Sequence, residues 1–145
     1  MKLSDRSLAK IDGDLVSRDE GTRWQAAITL GELAELDPER IWPLVVKHGS
    51  RRHADARMAI ATCVLEHILE HHFDIFFPRV AAIARSDKWF RTTFGSCWQM
   101  GEAESPRNIK LWNKLEKDLD ASSRSSAKRK RGAPTRRTCG RPVLC

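Results

Sequence analysis

An arginine returns at a fixed distance three times along this chain, each time with the same company behind it. Arg23, Arg57 and Arg91 stand 34 residues apart, and the stretches Arg23–Leu30, Arg57–Val64 and Arg91–Trp98 repeat a pattern of small and apolar residues. Upstream, Ile41-Trp42-Pro43-Leu44-Val45 is answered by Phe76-Phe77-Pro78-Arg79-Val80 at a spacing of 35. A unit of this length built from two helices buries its apolar face only by stacking on its neighbours, so the expectation is an α-solenoid.

Helix punctuation agrees. Ser4 caps a first helix through Leu15, and a second runs from Gly21-Thr22 to about Leu36. Asp37-Pro38 and Ser105-Pro106 each pair a capping side chain with proline at the first helical position. Between them the pattern predicts helices over 38–48, 52–71, 73–84 and 87–100, and a seventh carries Ile109, Trp112, Leu115 and Leu119 on one stripe. Strand signals are missing, so the fold class is all-α with seven helices.

Charge divides the chain unevenly. Residues 121–145 hold eight basic residues and no acid, whereas the first 120 hold 18 basic and 19 acidic side chains. With too little apolar surface to offset ordering entropy, 121–145 is expected to be a disordered basic tail behind a repeat domain at 1–120. No apolar run approaches the ~18 residues of a membrane span, and Met1–Lys10 has no signal-peptide pattern. Cysteine spacing matches neither a zinc site nor a disulfide framework, which points to a reducing, cytoplasmic setting.

The repeat resembles the HEAT family, whose units pair a proline-bearing first helix with a second helix opening on arginine. Pro43 precedes Arg57 by 14 residues and Pro78 precedes Arg91 by 13, and Arg23-Trp24-Gln25-Ala26-Ala27 runs on to Leu30-Gly31. The first unit has Ala9 where the proline would fall; Asp19 and Asp87 stand nearer their arginines than the family pattern, with His53 in that place in the middle unit. The resemblance spans roughly residues 4–119. It implies a right-handed solenoid of about 3.5 hairpins, with Arg23, Arg57 and Arg91 as a structural ladder and the second-helix faces lining a concavity.

On a wheel of 100° per residue, the face opposite the buried stripe reads Gln25, Thr29 and Glu32, then Ala59, Thr62, Glu66 and Glu70, then Thr93, Ser96 and Met100. It is small, polar and acidic, which suits a basic or amphipathic peptide rather than a phosphate backbone. The leading expectation is therefore a non-catalytic adaptor with no cofactor. Gln25, Thr29, Glu32, Thr62, Glu66, Glu70 and Met100 would make or frame contacts with a protein or peptide partner. The alternative is a nucleic-acid-binding protein whose tail residues Lys128, Arg129, Lys130 and Arg131 contact phosphates without reading sequence.

Enzymatic readings have less behind them. His67 and His71 share a helix face at i, i+4, but the glutamate that should follow the first histidine of a metalloprotease pair is Ile68. The resemblance extends to HEAT-type di-iron hydroxylases and HEAT-like DNA glycosylases; the former carry His-Glu pairs in several units, the latter a basic concavity. Neither pattern stands here, so no catalytic or metal residue is assigned. The five tryptophans are expected mostly in the core.

Overall fold

A computed structural model describes residues 3–132. Among them every regular element is helical. We number the helices α1 (Asp5–Asp14), α2 (Glu20–Gly31), α3 (Pro38–Gly49), α4, α5 (Phe73–Ser86), α6 (Lys88–Gly95) and α7 (Pro106–Arg131). Helix α4 is continuous from Ala54 to His71 but carries a π-helical turn, Ala61–Leu65, between its α-helical parts Ala54–Ile60 and Glu66–His71. A 3₁₀ turn, Gly101–Glu104, precedes α7.

Several starts follow local chemistry. The side chains of Ser4, Asp19, Asp87 and Ser105 accept hydrogen bonds from backbone N–H groups in the first turns of α1, α2, α6 and α7. Proline opens α3 and α7, where its missing N–H costs nothing.

The odd-numbered helices form one row and the even-numbered ones a second. Helix α4 packs on α2 and α6, and α1, α3 and α5 each pack on the helix that follows. Ion pairs run along the first row: Asp5 to Arg40 and Asp12 to Lys47 join α1 to α3, Glu39 to Arg79 joins α3 to α5, and Asp74 to Arg107 joins α5 to α7. The core lies between the rows, with Leu30, Ile41, Val45, Ile60, Val64, Ile68, Val80 and Phe90 fully buried. Helix α7 closes it with Trp112, whose ring centroid lies 4.7 Å from that of Phe94 and 6.1 Å from that of Phe77. Burying such aromatic side chains contributes a few kcal/mol each, on the order of 25 cal/mol per Å².

The repeated arginines occupy equivalent positions. Arg23 Nη1 donates to the carbonyls of Ser17 (2.9 Å) and Arg18 (3.1 Å). Arg57 Nη1 donates to those of Arg51 (2.8 Å) and Arg52 (2.6 Å), and Arg91 to those of Ala84 (3.1 Å) and Arg85 (3.3 Å). Each guanidinium thus satisfies backbone carbonyls left over at the turn before its own helix. Each also reaches a residue 32 positions onward: Arg23 pairs with Asp55 at 3.4 Å, Arg57 lies 4.7 Å over the ring of Trp89, and Arg91 donates to Ser123 Oγ at 3.0 Å.

Three expectations need correction. The basic segment is not disordered from Ala121: α7 continues to Arg131, while residues 133–145 lie outside the described residues. Residues 121–131 belong to α7, because a helix already docked through Trp112, Leu115 and Leu119 elongates without a new nucleation cost. Four basic residues in the last turn also complement the helix dipole. Second, the helix after Asp87 ends at Gly95, so Met100 lies in extended backbone (φ −140°, ψ 154°) rather than on a helix face. Third, the tryptophans were expected mostly in the core, and Trp98 is 75% exposed.

Candidate functional site

The expected contact residues divide between two hollows and a segment. Gln25 and Thr29 line a cavity between α1 and α2, together with Ile11, Asp14 and Asp19. Glu32 and Thr62 line a separate groove of about 350 Å³ between α2 and α4, shared with Ile28, Glu35, Cys63, His67 and His71. Gly31 makes this groove possible: a Cβ there would collide with the carbonyl oxygen of Cys63, so only glycine lets α2 lie this close to the π turn of α4.

Charge organises the groove. Glu70 accepts a hydrogen bond from His67 Nδ1 at 2.9 Å and lies 3.7 Å from His71 Nε2, while Glu35 stands 3.9 Å from the same His71 nitrogen. Glu32 and Glu35 are exposed at its rim. Carboxylates therefore line one side, and the histidines are tethered to them. Among the described residues no group of three or more His, Cys, Asp or Glu side chains is arranged to hold a metal ion.

Glu66 is not on the open face where the wheel puts it; it is buried at 8% exposure. Ala59, which precedes the π turn, and Thr93, on a helix without one, are also expected on that face and are buried at equivalent positions, so the face itself packs inward; the π turn adds a further rotation after Ile60. It inserts an extra residue per turn, so every later side chain lags by roughly one residue's rotation, ~100°. Glu66 is turned inward, where its carboxylate accepts the backbone N–H of Trp98 at 2.9 Å. Burial pushes the Glu66 carboxyl above the usual range, opposed by the Trp98 hydrogen bond. Thr93 Oγ1 donates to the Gly49 carbonyl at 2.6 Å.

The segment after α6 was not legible as a site. Cys97 Sγ–H donates to the Ala61 carbonyl inside the π turn, Glu66 holds the backbone at Trp98, and Gly101 adopts φ 55° against Glu70. A Cβ on Gly101 would come within 2.6 Å of Glu70 Cγ and 2.8 Å of its carbonyl oxygen. Backbone 97–101 is thus strapped to α4 while the indole of Trp98 projects into solvent. Glu70 touches both this strap and the histidines of the groove, so the two features flank one helix, about 10 Å across.

The other tryptophans differ. Trp112 is buried, Trp24 and Trp42 pack against the core, and Trp89 is flanked by Arg57 and by Lys88 Nζ, each 4.7 Å from its ring. No protein-family model matches the chain, and no curated protein or solved structure matches it. Among the described residues no helix is long and apolar enough to cross a membrane.

Proposed function

We propose that this protein is a HEAT-like helical-repeat adaptor, an α-solenoid of about three and a half hairpins, which holds a basic peptide segment against the second-row face. Support for the repeat comes from the arginines, which use equivalent turn carbonyls and a common 32-residue reach. Support for the partner comes from the side chains flanking the second half of α4. Glu32, Glu35 and Glu70 supply negative charge, and Trp98 supplies an aromatic face that attracts a guanidinium or ammonium group. Thr62 and Met100 frame these contacts, and Gln25 and Thr29 extend the face toward α1. Glu66 acts indirectly, by fixing the backbone that presents Trp98.

The observation that carries the reading is Trp98 itself. A large exposed indole on a backbone already held by a buried carboxylate leaves no backbone ordering cost at that position, and aromatic side chains of this kind serve as interface anchors. Titrating a fluorescent arginine- and lysine-rich peptide into the full chain tests it by anisotropy. Trp98→Ala should weaken binding by about 3- to 30-fold, the range of one cation–π contact. The double variant Glu32→Gln, Glu35→Gln should flatten the salt dependence. Affinity unchanged in both variants would remove the proposal.

A further inference from the structure

The turns joining α1 to α2, α3 to α4 and α5 to α6 form an edge whose chemistry is opposite to that of the groove. Arg18, Arg51 and Arg52 sit on these turns and Arg85 in the last turn of α5. They contribute backbone carbonyls to the bonds from Arg23, Arg57 and Arg91. The inner arginines therefore clamp the backbone of the outer ones. Arg18, Arg52, Arg85 and Lys88 are exposed and Arg51 is half-buried. Among the described residues only Arg85 of these five has an acidic partner, Asp118 at 3.9 Å.

The edge acids are largely committed. Asp19 and Asp87 cap α2 and α6, and Asp55 pairs with Arg23. Glu20 remains. Helix α7 joins the same edge, because Ser123 meets Arg91 there. It runs on for eight residues to Arg131, about 12 Å at 1.5 Å per residue. That projection carries Arg124 and the exposed run Lys128–Arg131.

We propose that this turn edge, continued by the end of α7, binds the phosphate backbone of duplex nucleic acid. Helices pack about 8–10 Å apart, and the backbone of each outer arginine is clamped, so the stems are held along one edge while their guanidiniums stay free to meet phosphates. Arginine suits phosphate through its planar pair of donors. Single strands are gripped largely by stacking bases on bare aromatic rings. Here the aromatic of the edge, Trp89, is already flanked by two cations. The row has no groove-reading helix beside it, so binding is sequence-blind and strongly salt-dependent. This site is independent of the peptide face, and either can fail without the other.

The test is a salt titration of the full chain against a fluorescent 20-base-pair duplex of arbitrary sequence. About six to eight neutralised phosphates give a slope of log K against log salt of about −5 to −7. The variant Arg18→Ala, Arg51→Ala, Arg52→Ala, Arg85→Ala should make the slope shallower by about 3–4 and weaken binding at least about 30-fold at 0.1 M salt. The matching four-lysine variant should keep the slope, and Arg107→Ala, on the other side of the molecule, should change nothing. Single Arg52→Ala, lowering the slope by about one, serves if the quadruple variant unfolds. The proposal is overturned by absence of duplex binding at 0.05 M salt, or by an unchanged slope in a folded alanine variant. It is also overturned by tighter binding of the matching single strand, or by equally effective competition from poly-glutamate of the same charge.

Discussion

Two ionisable groups inside the molecule make opposite contributions to its stability as pH changes. His48 is fully buried, with Nε2–H donating to Asp12 at 2.7 Å and Nδ1 unpaired. Burial lowers its pKa, outweighing Asp12, and the cations Lys47 and Arg51 push the same way. A folded pKa below the unfolded value near 6.5 means that His48 folds neutral and must be deprotonated first at lower pH. Its contribution is complete above about pH 6.5 and is lost as pH falls from there toward the folded value. Glu66 runs the other way: its raised pKa makes its contribution largest below about pH 4.5 and diminishes it as pH rises toward the folded value. Urea midpoints from pH 5 to 8 should therefore fall more steeply below pH 6.5 in the native sequence than in His48→Gln. Parallel curves for the two proteins would show that His48 is not the titrating group.

At the level of elements, capping residues and prolines made most helix starts readable, whereas ends and faces were harder. Ser4 and Ser105 cap their helices as expected, whereas Asp37 before α3 makes no side-chain capping bond, and Asp19 and Asp87, expected only as ladder positions, turn out to cap α2 and α6. The wheel sets residues around one helix but not which faces its neighbours cover: Ala59, Glu66 and Thr93, read as one open face, are all buried, and the π turn in α4 is likewise invisible in a fixed 100° wheel. Trp98 misled for a related reason. Its apolar character and spacing fitted the core stripe, yet α6 stops at Gly95 and the chain turns over α4. The extension of α7 was hidden because composition describes independent segments, not the continuation of a docked helix. Beyond Leu119 nothing in α7 is buried. Ser126→Pro should therefore remove helical signal at 222 nm while leaving the melting temperature within about 1 °C, because the packed part of α7 is untouched. A drop of several degrees would mean that residues beyond Leu119 support the core.

The whole molecule is polarised across its two turn edges, and that property joins both proposals. Glu32, Glu35, Asp37 and Glu39 cluster around the α2–α3 turn, and Glu102 and Glu104 lie just before α7. The outer arginines gather at the other ends of the same helices. Apolar spacing and helix punctuation in the sequence were enough to infer an all-helical chain, but not which end of each helix would be acidic. That follows only when alternate helices run in opposite directions and bring every second turn to one side. A basic peptide and a nucleic-acid backbone are thus directed to different edges by the same charge separation.

The most direct measurement is a two-dimensional NMR titration of the nitrogen-labelled full chain with an arginine- and lysine-rich peptide, following its five indole N–H signals. Trp98 should shift in a saturable way together with the amides of Glu32 and Glu35, while Trp112 and Trp42 stay fixed, and a glutamine- and serine-substituted peptide should leave the spectrum unchanged. A saturable response centred on the Arg51–His53 turn, with Trp98 still, would contradict the assignment of the peptide face.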